Sequence, residues 1–177
     1  FNGTNHTGIV EVLGNGAKLT ADVADDGTFI TSGNKIVTEA ASTGVEVTVN
    51  GANTFKGDIE TKDGALTYNI NKNQSSMGNI TLGTGNLNLV IDDAVTSVAF
   101  ADNSSSTWGD GKVVVTGFKD NVISFGTDAN GLTDAQLAKI DAGSTLYIHS
   151  NGELSSSEEV IVKSDLMILG VSDPDGG

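Results

Sequence analysis

Two histidines, His6 and His149, and no cysteine are the whole supply of imidazole and thiolate in this 177-residue chain. A zinc site draws three or four ligands from Cys, His and carboxylates, so the supply is poor. Ser150 follows His149, but a nucleophilic serine needs a base that a third group orients, and no Gly-x-Ser-x-Gly elbow surrounds it. Carboxylates are more plentiful. Asp25-Asp26, Asp92-Asp93 and Glu158-Glu159 are adjacent pairs. On a strand, neighbours point to opposite faces, so such a pair cannot jointly flank a glycosidic bond. At turns the geometry is freer, and turn acids serve mostly to bond the local backbone. Calcium is the better ionic reading. Asp25-Asp26-Gly27 and Asp173-Pro174-Asp175-Gly176 place hard oxygen ligands in glycine-bearing loops, without matching an EF-hand. The expectation is no catalytic site, and at most a weak calcium site at Asp25, Asp26, Asp173 and Asp175. The competing reading of these acids is capped turns on an acidic surface.

Charge narrows the partners. The formal net charge is −14, and phosphate backbones need a cationic face, so nucleic acid is not expected. No apolar run approaches the ~18 residues of a membrane span. No basic-then-apolar leader opens the chain, and Phe1-Asn2-Gly3 in place of a starting Met suggests a processed or trimmed N-terminus.

The elements that must position these groups read as strands. Apolar residues alternate with polar ones at Val45-Glu46-Val47-Thr48-Val49, Leu66-Thr67-Tyr68-Asn69-Ile70 and Leu87-Asn88-Leu89-Val90-Ile91. Shorter runs occur at Ile9–Leu13, Leu19–Val23, Ile80–Leu82, Val113–Val115, Val122–Phe125, Leu146–Ile148 and Val160–Val162. A period of two over three to five residues is a strand signal. Turn chemistry separates the runs: Gly14-Asn15-Gly16, Asp25-Asp26-Gly27, Asn50-Gly51, Asp63-Gly64, Gly109-Asp110-Gly111 and Asn151-Gly152.

Two all-β architectures fit. Two-residue Asn-Gly loops suit an antiparallel β-sandwich, and frequent short strands suit the rungs of a parallel β-helix, or solenoid. Aromatics are only 5% of the chain, which favours a thin core of Val, Ile and Leu. Asn69, Asn71, Asn73 and Asn79 suit stacked polar corners. No fixed-length repeat runs along the chain. The expectation is a right-handed parallel β-solenoid forming one domain over 1–177. One helix of two or three turns is expected at about 133–140, where Thr133 and Gln136 form a capping box, with Gly143 ending it.

One block resembles a known family. Trp108-Gly109-Asp110-Gly111-Lys112-Val113 leads to Ile123-Ser124-Phe125-Gly126-Thr127. Gly131-Leu132-Thr133-Asp134-Ala135-Gln136-Leu137 and Ser150-Asn151-Gly152-Glu153-Leu154 follow. This is similar to the C-terminal part of bacterial surface proteins with autotransporter-associated β-strand repeats, many of which end in a PEP-CTERM-type sorting tail. Val49-Asn50-Gly51-Ala52-Asn53-Thr54-Phe55 is similar to the repeat itself. The resemblance implies an exported right-handed parallel β-helix with no shared catalytic residues. After Leu154 the chain departs from that pattern, and Val160-Ile161-Val162 and Leu166-Met167-Ile168-Leu169 read as two further strands.

The functional expectation is a non-catalytic extracellular structural protein of the bacterial cell surface. Solenoid ends carry unpaired strand edges that invite another chain. The strands near 9–13 and 160–169 then act as caps or as joints between copies, giving a filament or surface layer. The residues assigned to that contact are Ile9, Val10, Val12, Leu13, Val160, Val162, Leu166 and Ile168. The alternatives are an adhesin-type module binding a glycan or another surface protein, and a polysaccharide-active β-helix enzyme.

Overall fold

The computed structural model describes residues 8–39 and 42–160. Within them the chain is all-β, a parallel β-solenoid of about six turns with one short helix. Each full turn visits three faces. The first face is built by β1 (Ile9–Val12), β3 (Lys35–Thr38), β5 (Asp58–Thr61) and β8 (Ile80–Leu82). The second holds β2 (Lys18–Ala21), β4 (Val45–Val49), β6 (Leu66–Ile70), β9 (Leu87–Ile91), β11 (Val113–Thr116) and β13 (Ile140–Asp141). The third holds β7 (Gln74–Met77), β10 (Val98–Phe100) and β12 (Ile123–Phe125). Every pairing within these faces is parallel. Single parallel bridges extend two faces, Ile30 with Phe55 on the third and Leu82 with Trp108 on the first.

Alternation explains the core. On the second face Val45, Leu66, Leu87, Val113 and Ile140 stack in register and point inward, each buried. Val47, Tyr68, Leu89 and Val115 form the next inward column. The first face contributes Ile36, Ile59 and Ile80. Identical or similar branched side chains repeat at one strand spacing, about 4.8 Å, so a few Val, Ile and Leu per turn close a continuous core. The aromatics that exist stack along the same axis. Phe100 and Phe125 lie 5.0 Å apart and nearly parallel, and Phe55 meets Tyr68 edge-on at 5.4 Å.

Corners hold the turns together through polar side chains. Asn71 donates to the Asn50 side-chain oxygen at 2.8 Å, and Asn50 donates in turn to Asp22. Gln74, fully buried at the start of β7, accepts from the Thr54 and Phe55 amides at 3.1 Å each and donates to the Gly51 carbonyl at 2.8 Å. Thr38 and Thr61, stacked in register and buried, donate to the carbonyls of Gly64 and Gly85. Glycine is obligatory at the corner where Gly64, Gly85 and Gly111 stack. A Cβ on Gly85 would lie 2.2 Å from the Gly64 carbonyl oxygen, and one on Gly111 would lie 2.3 Å from that of Gly85.

The helix is shorter than the sequence pattern predicts. α1 spans Asp134–Leu137, with Thr133 as N-cap in a complete capping box. It stops after one turn because the chain must re-enter the second face at β13, where Ile140 stacks on Val113. Gly143, with φ +79°, belongs to the turn beyond β13 and does not end the helix. The described chain closes with an antiparallel hairpin of β14 (Tyr147–Ile148) and β15 (Leu154–Ser155), turning at the predicted Asn151-Gly152.

Candidate functional site

The two ends of the described solenoid differ. At the C-terminal end the hairpin lies across the last turn. The Phe125 amide donates to the Gly152 carbonyl and the Asn121 amide to that of Leu154. Glu153 makes an antiparallel bridge to Ser124, and Leu154 and Leu146 are buried. Side chains fasten this cap. The Asp120 carboxylate accepts from the Ser156 amide at 2.7 Å and its hydroxyl at 3.1 Å. Those backbone and side-chain bonds hold the Asp120 pKa below the usual carboxylate range. Glu159 accepts from the Ser150 hydroxyl and amide, which lower its pKa in the same way. The hydrogen bonds of His149 and Ser150 therefore lead away from each other, His149 Nε2 to the Ser157 carbonyl and Ser150 Oγ to Glu159.

At the N-terminal end β1 pairs only with β3 and β2 only with β4 among the described residues. Val10 and Val12 face inward in register with Ile36 and Thr38. Ile9 and Leu13 are 59% and 51% exposed, two of the three large apolar side chains left exposed among the described residues. The third is Val160, at 85%. Val162, Leu166 and Ile168 lie outside the described residues, as do Asp173 and Asp175.

Asp25 and Asp26 sit at the first turn's corner between the second and third faces. Asp25 accepts the Ala52 amide and Asp26 the Asn53 side-chain amide, both at 2.8 Å. They are the first members of the corner ladders, each with one carboxylate oxygen committed to the turn above. Among the described residues no three His, Cys, Asp or Glu side chains converge to hold a metal ion. Trp108 is half-buried. Its indole N–H donates to the Ile80 carbonyl at 3.0 Å and its ring meets Phe125 edge-on, so it locks two turns together. No helix among the described residues is long and apolar enough to cross a membrane.

One concave feature runs along the solenoid where the third face turns toward the first. This open groove of about 520 Å³ is lined from Ser32 and Lys56 at one end to Asp102, Thr127 and Asp128 at the other. Its lining spans five consecutive turns, roughly 19 Å at the strand spacing. In its middle the register between β7 and β10 slips: Gln74 pairs with Val98 and Met77 with Phe100. Ser75 and Ser76 therefore stand together opposite Ala99, both exposed. Such a bulge re-aims side chains that regular pleating would send to opposite faces. Asp102 accepts the Ser104 hydroxyl at 2.6 Å and amide at 2.9 Å, which lower its pKa. Asp128 accepts the Asn130 amide at 2.7 Å. Each uses its Oδ1 for that turn. Sequence reasoning missed this groove, because its residues are spread from 32 to 128 and only the turn-to-turn stacking gathers them. The polar run Gln74-Ser75-Ser76-Met77, bounded by buried ends, is the one local signal of it.

Comparison with protein-family models, with curated proteins and with solved structures yields no match.

Proposed function

We propose that the chain is a non-catalytic structural protein of the bacterial cell surface that associates with copies of itself through the first turn of its solenoid. The observation that carries this reading is the outer edge of β1, which has no strand partner among the described residues, with Ile9 and Leu13 exposed beside it. Unpaired strand groups next to apolar side chains favour the addition of another strand. A tail bearing Val160, Val162, Leu166 and Ile168 on a neighbouring copy supplies the apolar residues to meet it. Such a contact is heterologous and repeats without closing, which builds a filament or layer. The surface location rests on the resemblance of the 108–154 block. The acidic charge of −14 agrees with a solvated exterior.

Sedimentation velocity over a hundredfold range of concentration tests the reading. The wild-type chain is expected to gain mass with concentration, and Ile9→Lys with Leu13→Lys to remain monomeric with an unchanged melting curve. Removal of 160–177 is expected to abolish association as well. A wild-type chain that stays monomeric throughout, or a double variant that associates equally, overturns it.

A further inference from the structure

The groove along the corner of the third face points to a second property, independent of the β1 edge. We propose that it binds an uncharged, polyhydroxylated chain, a neutral glycan, lying parallel to the solenoid axis.

The chemistry of the lining selects the ligand by elimination. A peptide adds to a sheet through an open strand edge or docks apolar anchors into pockets. Here β10 is paired on both sides, by β7 and β12, the 53–55 segment of the preceding turn lies along β7 through bonds of Thr54 and Phe55 to Gln74 and of Asn53 to Ser75, and the large apolar side chains beneath, Met77 and Phe100, are buried at 2% and 4% exposure. Neither mode has a foothold. A polyanion, whether nucleic acid or acidic polysaccharide, meets the Asp102 and Asp128 carboxylates at one end of the groove and a net charge of −14 overall. Those repel it. What the surface offers is dispersed hydrogen bonding: two carboxylates, one ammonium and a row of hydroxyls.

The polar groups are prepared for this. Lys56 is half-buried at the groove's edge, whereas Lys18, Lys35 and Lys62 are each ion-paired to a glutamate. Its three N–H donors suit sugar oxygens. Asp102 and Asp128 are held by their own turns through one oxygen, so their positions are fixed before a ligand arrives. The bulge turns both Ser75 and Ser76 outward at the centre, and the Ser75 amide is anchored on Asn53 at 3.1 Å. Little side-chain entropy remains to be lost at those points on binding.

Affinity electrophoresis in native gels containing a soluble β-glucan, a mannan or dextran tests the proposal, with heparin as a polyanionic control. The wild-type chain is expected to be retarded by at least one neutral polysaccharide and not by heparin. Ser76→Leu fills the groove from an exposed position with a branched group that offers sugar oxygens no hydrogen bond, and Lys56→Ala removes the ammonium. Each is expected to weaken that retardation at least tenfold, the effect of losing one charge-assisted hydrogen bond or blocking the channel. Melting curves of both variants should match the wild type. Absence of retardation in all three neutral gels overturns the proposal, as does retardation by heparin alone or retardation that both variants retain. Ile9→Lys with Leu13→Lys should leave retardation intact, which separates this property from self-association.

Discussion

Replacing Gln74 by Leu removes the side chain on which the corner between the second and third faces depends while keeping its volume. The Gln74 side chain receives the Thr54 and Phe55 amides at 3.1 Å and donates to the Gly51 and Lys72 carbonyls at 2.8 and 3.2 Å. Gln74 and both amide-bearing residues are fully buried. With Leu in place, two N–H groups lose their only side-chain acceptor inside the protein. A buried donor left unmet costs about 1–3 kcal/mol, so the pair costs about 2–6 kcal/mol. A leucine gains some apolar burial, offsetting about 1 kcal/mol. The net expectation is a loss of about 3 kcal/mol, a large share of a total stability of about 5–15 kcal/mol. With a urea slope of about 2 kcal/mol/M for a chain of this size, the midpoint should fall by about 1.5 M. Solenoid turns interact mainly with their neighbours, so amide exchange should report where the loss falls. The Thr54 and Phe55 amides should exchange about a hundredfold faster, and amides of β11 far less. A midpoint shift under 0.3 M would show that the corner is held by strand pairing alone, and the reasoning would fail.

The remaining predictions concern the corners and the cap. Gly85→Ala is expected to cost about 3 kcal/mol or more, because its Cβ would meet the Gly64 carbonyl oxygen at 2.2 Å and backbone cannot yield cheaply. Gly143→Ala, with φ +79° but open space around it, should cost only about 1 kcal/mol; parallel urea titrations of the two compare a steric clash with a conformational penalty. The cap should loosen in acid. Asp120 and Glu159 have folded pKa values lowered by their bonds to Ser156 and Ser150. Their contribution is therefore present above the unfolded values, near 4, and is lost as pH falls through the lower folded values. Exchange at the Ser150 and Ser156 amides, corrected for its intrinsic pH dependence, should accelerate below that range. Asp120→Asn should flatten the Ser156 response, and an unchanged profile would remove Asp120 from the cap.

Which strands were readable from sequence follows from how many residues each turn commits to the core. β4, β6 and β9 each alternate buried and half-buried over five residues, so Val, Leu and Ile, with Tyr68 in the middle of β6, mark every second position. β5 (Asp-Ile-Glu-Thr) and β7 (Gln-Ser-Ser-Met) have only two inward positions, and in each one is polar. Thr61 and Gln74 are core residues all the same, because a corner carbonyl or amide receives their polar ends. A hydropathy pattern cannot register that compensation. The capping box at Thr133 and Gln136 was legible, but the early exit to β13 was not, since pairing of Ile140 with Val113 is a non-local contact.

The absence of a fixed repeat has the same origin and bears on function. Leu66 pairs with Leu87 at a separation of 21 residues, Leu87 with Val113 at 26, and Lys18 with Glu46 at 28. On the first and second faces strand positions stack in register regardless, so the surplus residues must leave the stack at corners. The 101–107 segment between β10 and the bridge at Trp108 is one such excursion, and it carries Asp102 at the groove's edge. The irregular spacing that hides the repeat from sequence therefore also places Ala101 and Asp102 in the groove's lining. Shortening the 101–107 excursion toward the length of the corresponding 78–79 connection between β7 and β8 should displace Asp102 from the groove and weaken polysaccharide retardation. Asn103 would have to be kept, because its side chain accepts the Ile80 amide at 2.6 Å and its loss would destabilise the stack itself.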